Sequence, residues 1–286
     1  MSNILFKTGK QNVGSKLINL ASGGDTFKAT LLNMNTAAGK VALISSSTNA
    51  TPIVVTTSGA HGYSTGDIVV IAGHTTNTAA NGTWKIAAAA GSTFALTTLL
   101  DGNNSTGNGV GGATGWCIDI TTGSTLADVS ANTNGTDATI SGQTLTGDVW
   151  NASAWTYTGL TATQVNATAV YSLTTANDLV AFIDGRIQIY VTTQAVATNT
   201  SIAIQRLAAA IPNGTVIAFS NGQTATLTAQ ANVGDTSLTV SSLGGTVARQ
   251  STADCYTLGV GIPMTPGAGG SFQFVPDAGV NKVFVL

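Results

Sequence analysis

Short apolar runs alternate with turn residues along the whole chain. In "TFKATLLNM", residues 26–34, Phe27, Ala29 and Leu31 recur at period two, which predicts a half-buried β-strand. "KVALI" follows the turn at Gly39. The segments "TPIVVTT", "GDIVVIAG", "GTWKIAAAAG" and "STFALTTLL" are separated by Gly, Asn and Ser, the spacing of a small antiparallel barrel or meander. Residues 101–115, "DGNNSTGNGVGGATG", read as a glycine-rich loop that returns the chain to a main body at "WCIDI".

Farther on, Val165, Ala167, Ala169 and Tyr171 alternate, and "DLVAFIDG" continues with Leu179, Ala181 and Ile183. These predict central strands, with "RIQIYVTT" extending the same run after Gly185. An insertion-like unit follows, "SIAIQRLAAAIPNGTVIAFSNGQTATLTAQANVGDTSLTVSSL". Ile202 to Gly214 repeats the layout of Ile53 to Gly66: a strand, a connector, then a Gly-led apolar strand. The chain closes on "GSFQFVPDAGVNKVFVL", where Phe272 and Phe274 alternate and "KVFVL" predicts a last paired strand.

Composition points to the same class. All twelve acidic residues are Asp, Gly reaches 34, and Thr, Ala, Ser, Asn and Val make up the bulk. A strong helix former is missing, and β-branched and turn residues replace it, so the fold class is all-β. Hydrophobic residues at 43% oppose disorder. Charged residues amount to 8% and the net charge is -2, which gives no basic field for phosphates, so nucleic acid is not expected as a partner. Soluble monomers carry about a quarter charged residues, and the shortfall predicts a surface covered by partners in an assembly. The N-terminus lacks an apolar signal region and no apolar run reaches the roughly 18 residues of a membrane span, so synthesis in the cytoplasm, without a membrane, is expected.

Candidate chemistry is sparse. His61, Ser64 and Asp67 lie close together, but "HGYSTGD" is turn-forming sequence and no G-x-S-x-G elbow accompanies it. No catalytic residues are assigned. His61 and His74 stand thirteen apart with no metal-ligand spacing. Asp101, Asn103 and Ser105 alternate as calcium ligands do, yet Thr106 and Gly112 occupy the positions where an EF-type loop has Gly and Glu. No metal and no cofactor is predicted, since "GNGVGG" has no helix after it. Lys7, Lys10 and Lys16 make the start basic, which reads as a solvated arm or as a contact with an acidic patch on a partner. Trp150, Trp155 and Tyr157 read as a core and interface plug or as a sugar-stacking platform. Cys117 and Cys255 read as buried free thiols or as a bridge. Both sit where an excursion rejoins the body, which predicts that they lie close together.

The ordered set "AVYSL", "LVAFID" and "NKVFVL", with "DTFKATLLNM" and "TLTGDVWNASAWTYTGLTATQVNATAVYSL", resembles a family of small tailed-bacteriophage virion proteins, the structural or capsid-decoration (cement) proteins. The likeness spans roughly residues 1–43, 118–193 and 256–286, about half the chain. It implies a discontinuous β-sandwich body from these segments, carrying inserted β-modules at 44–117 and 194–255. The first insertion is similar to a β-module found repeatedly in phage structural proteins and named after a half-domain of ubiquitin-activating enzymes. No adenylation site or reactive cysteine comes with it. The second resembles another short phage β-unit.

The resemblance implies a non-catalytic virion protein on the capsid surface, with the major capsid protein and sibling copies as partners. A homo-oligomer is expected, a trimer if it docks at local three-fold points. The alternative is a tail, fibre or head-spike protein with a host-surface or glycan-binding role. Phe27, Val165, Ala169, Phe182, Ile183, Phe272, Phe274 and Phe284 are predicted to face inward.

Overall fold

The computed structural model describes residues 3–6, 11, 13, 17–99, 101–146, 149–184, 186–205, 207, 211, 213–219, 223–232, 234–247, 252–256, 265–274 and 282–285. The expected contacts of Lys7, Lys10 and Lys16 lie outside these residues, as do the side chains of Cys255 and Phe284.

The chain opens with β1 (Asn3–Leu5) and β2 (Phe27–Leu32). It leaves for β3 (Val41–Ser47), β4 (Val54–Thr57), β5 (Ile68–Ala72), β6 (Gly82–Ala90), β7 (Thr93–Thr97) and β8 (Trp116–Asp119). It comes back through β9 (Thr133–Ile140), β10 (Thr144–Thr146), β11 (Val149–Asn151), β12 (Trp155–Leu160), β13 (Ala167–Ser172) and β14 (Asp178–Ile183). A second departure holds β15 (Arg186–Tyr190), β16 (Ser201–Ala203), β17 (Val216–Ala218), β18 (Thr224–Thr226), β19 (Ser237–Thr239) and β20 (Thr252–Tyr256). Strands β21 (Gly270–Phe274) and β22 (Lys282–Val285) complete the chain. The 3-10 helices are short turns such as Thr78–Ala80, and among the described residues no helix is long and apolar enough to cross a membrane. The fold is all-β.

The chain divides into two compact units, residues 1–41, 120–185 and 258–286 in one, residues 42–119 and 186–257 in the other. The first is a sandwich. A seven-stranded sheet, β1-β14-β13-β2-β9-β12-β21, is accompanied by a three-stranded sheet, β10-β11-β22, and every pairing is antiparallel. Phe27, Ala29, Leu31, Val165, Val170, Ile183 and Phe274 form the core with Trp150 from β11, whose ring meets Phe27 edge-on at 5.1 Å. Phe272 is partly buried against that core.

Strand β2 departs from the half-buried expectation. Thr30 and Leu32 are as deeply buried as Phe27, because β2 lies inside the sheet between β13 and β9 and both its faces are covered. Ala169 and Phe182 are buried too, Phe182 against the edge of Phe6 at a centroid distance of 6.4 Å.

In the second unit, β3-β4-β7-β6-β5-β8 close into a barrel, which leaves its six strands without free edges. Trp84, Phe94, Tyr63 and Ile71 fill its interior. "WCIDI" does not return to the body as the sequence suggested. Its first four residues are β8, paired with β5, and all four are buried, so no alternation marked which sheet would take them. "RIQIYVTT" does not extend β14 either: β15 pairs with β20 instead, from Arg186↔Tyr256 to Tyr190↔Thr252. Residues 186–257 enclose an aliphatic cluster of their own, with Ile202, Ile204, Ile217, Leu227, Leu238 and Val240 around Phe219.

Candidate functional site

The glycine-rich loop 101–115 is tied to one end of the barrel by side chains that gather around His74. The ring of His74 is 2% exposed, with Nε2 at 2.6 Å from Ser47 Oγ and Nδ1 at 3.0 Å from Thr114 Oγ1. The carboxamide of Asn77 donates to Ser47 Oγ at 2.9 Å and to the Thr48 carbonyl at 2.9 Å, while its oxygen accepts from the Asn108 N–H at 3.1 Å. Asn108 in turn donates to Thr78 Oγ1 and accepts from the Ala79 N–H. Asn81 clasps the His74 backbone from both sides, accepting its N–H and donating to its carbonyl, each at 2.9 Å.

The local sequence explains why this works. Ser47 ends β3, and its backbone exchanges both hydrogen bonds with Gly111, at 3.0 and 3.1 Å. A side chain at Gly111 would run into His74 Nε2 and Ser47 Oγ, so glycine is needed there for close approach. The Asn77 amide can only donate to Ser47 Oγ, and the Thr75 N–H only to Thr114 Oγ1 at 3.2 Å. Ser47 Oγ and Thr114 Oγ1 can each accept a second hydrogen or donate their own, so the network is satisfied with the imidazole hydrogen on either ring nitrogen. Burial pushes the His74 pKa below its ordinary 6.5, and the backbone of Thr114 opposes this only in part.

A serine hydroxyl donating to an imidazole is the first half of a nucleophilic triad. The second half is missing: Thr114, not a carboxylate, holds Nδ1, and Gly111 covers the serine oxygen. Ser47 is 3% exposed and has no approach for a substrate carbonyl. The arrangement fixes a loop.

The other candidates fall elsewhere. His61 is not joined to Ser64 and Asp67 as a triad. Its Nδ1 accepts from the Tyr63 N–H at 2.9 Å and its ring packs on Tyr63 and Phe94, whereas Asp67 accepts from the Ser64 N–H at 2.7 Å and closes the turn. Asp101 is engaged by Thr98 and Asn103, and Ser105 turns inward, donating to the Leu96 carbonyl at 2.9 Å and accepting from the Ile53 N–H. Its oxygen therefore faces the barrel, away from Asp101. Among the described residues no group of three His, Cys, Asp or Glu gathers as metal ligands would.

Trp150, Trp155 and Tyr157 are core residues, 0%, 2% and 0% exposed, so none offers a face to a sugar or to a partner. Trp155 stacks on Phe274 at 4.6 Å and donates to Tyr157 Oη at 2.7 Å. Tyr157 Oη shares a hydrogen bond with Thr168 Oγ1, which donates to the Thr30 carbonyl. Trp150 donates to the Leu20 carbonyl at 3.0 Å. Inward indoles with satisfied N–H groups explain the burial.

Cys117 is a free thiol in the barrel interior, within 3.5 Å of the Ala42 carbonyl oxygen and 3.6 Å of Tyr63 Oη. The bridge to Cys255 is therefore not formed. Burial pushes the Cys117 pKa up to about 12, which keeps it protonated and unreactive. The His74 network was missed because Ser47 and Thr114, the partners of the ring, lie 27 and 40 residues from His74 along the chain. Only the excess of Asn and Gly around it hinted at a built loop.

No protein-family model, curated protein or solved structure matches this chain.

Proposed function

We propose that this chain is a bacteriophage virion structural protein of the capsid-decoration type, acting without catalysis. The observation that carries the reading is the coincidence of likeness and fold. The three separated segments that resemble short phage decoration proteins, roughly 1–43, 118–193 and 256–286, correspond closely to the compact unit of residues 1–41, 120–185 and 258–286. The low charge of the chain supports it, since a surface covered by a shell and by sibling copies has less need of charged groups. The sealed Ser47–His74 pair supports a non-catalytic role. On this reading the body grips the major capsid lattice as a homo-oligomer, a trimer at three-fold points. The weak contact of each copy is multiplied by the valency of the lattice.

Quantitative mass spectrometry of purified virions tests the idea. Hundreds of copies per particle, with heads lacking the protein breaking at lower temperature, are the expected result. A handful of copies located at the tail would overturn it in favour of a tail, fibre or spike protein.

A further inference from the structure

The His74 network goes beyond any lattice role, because it couples a titratable group to the position of a loop. Three sets of bonds hold residues 108–114 to the barrel: Asn108 to Asn77, Thr78 and Ala79, Gly111 to the Ser47 backbone, and Thr114 to His74. Ser47 joins them, since its backbone pairs with Gly111 while its side chain touches both His74 and Asn77. Val110, at the tip between two glycines, is 76% exposed.

We infer that His74 is a pH-operated latch: the neutral imidazole fastens residues 108–114 across the end of the barrel, and proton uptake by the ring releases them. In the neutral state one ring nitrogen donates to its hydroxyl partner and the other accepts a hydroxyl hydrogen. A second ring proton would face the donating hydroxyl, turn its hydrogen away from the ring and bring a positive charge into a buried site.

Among the described residues no side chain compensates for that charge. The titratable groups on the surrounding elements are Cys117 and Asp119 of β8, Asp101 of the loop, Lys85 of β6 and His61, Tyr63 and Asp67 ahead of β5. None contributes to the shift of His74, which comes from burial opposed by Thr114.

The sign follows from proton binding. A released, hydrated imidazole titrates near 6.5 and the fastened one lower. The latch is therefore indifferent to pH above about 6.5 and loses stability as pH falls through 6.5 toward the lower, fastened value. In that window the released form gains up to about tenfold per pH unit.

Hydrogen exchange on the full-length protein tests this between pH 7.5 and 5.0, with rates corrected for the intrinsic effect of pH. The Gly111 N–H, bonded to the Ser47 carbonyl, is the reporter. Its protection is expected to fall as pH drops below 6.5, by at most about tenfold per unit, while the Val69 and Trp84 amides of the barrel wall keep theirs. His74→Gln is expected to remove the pH dependence. Should that variant not fold, proton NMR of the wild-type His74 ring decides, with titration expected below 6.5 and in step with the loss at Gly111. Constant protection at Gly111 down to pH 5.0, the same loss persisting in a folded His74→Gln variant, or a ring titrating at or above 6.5 would overturn the latch.

Discussion

The barrel of residues 42–119 and the module of residues 186–257 both enclose apolar cores in small, turn-rich sequences, yet they are held in different ways. The barrel has strands of four to nine residues, closes on itself, and fills its interior with Trp84, Phe94 and Tyr63. Its end is tied by side-chain amides and hydroxyls. Beyond the five-residue pair of β15 with β20, the other module pairs strands of three residues, β16 with β19 and β17 with β18, and links them by single bridges such as Val191↔Ile204 and Leu227↔Val240. Among the described residues its core is aliphatic apart from Phe219, and backbone bonds such as Gly214 N–H to the Leu227 carbonyl hold its bends. Closure needs long strands and bulky residues at the axis. Where strands are short, many aliphatic inward residues and backbone turns take over.

The largest test of this contrast is Trp84→Ala. It empties the centre of the barrel and strips the Ala80 carbonyl of its donor, and should cost about 3–5 kcal/mol in guanidinium unfolding. Exchange protection at Ile202 and Leu238 is expected to survive it. Loss of protection in both modules together would show that the two cores melt as one. Leu238→Ala makes the reciprocal cut and should cost about 2–5 kcal/mol, with the barrel amides spared. Gly111→Ala acts at the tied end alone. Crowding of His74 and Ser47 should cost about 1–3 kcal/mol by thermal unfolding, read with faster exchange at residues 108–114. Tyr63→Phe removes the hydroxyl bond to the Cys117 carbonyl and should cost about 1 kcal/mol, leaving ring packing on His61 and Phe94 in place.

Legibility in the sequence followed the same physics. Alternation in Phe27, Ala29 and Leu31, and the apolar run of "DLVAFIDG", marked body strands, although β2 and β14 are buried on both faces. The barrel was legible as four punctuated runs, which are β4 to β7. Where burial covers both faces, as at Trp116–Asp119, alternation vanished and the strand was placed in the wrong sheet. "RIQIY" read as a continuation of β14, since partner choice depends on Thr252–Tyr256, more than sixty residues away. Of the site, the turn at His61–Asp67 was legible from its local chemistry. The His74 network was not, because Ser47, Asn77 and Thr114 meet only when the barrel closes.

Strands β3 and β8 are neighbours in the closed barrel, with Ile44 donating to the Gly115 carbonyl. Entry and exit of a 78-residue excursion thus lie side by side. Once folded, the excursion acts as a short connection, and joining β2 to β9 no longer carries the loop-closure entropy of its full length. Early folding of the barrel during synthesis would therefore speed the pairing of β2 with β9. A variant with residues 42–119 replaced by a tight turn would retain that advantage.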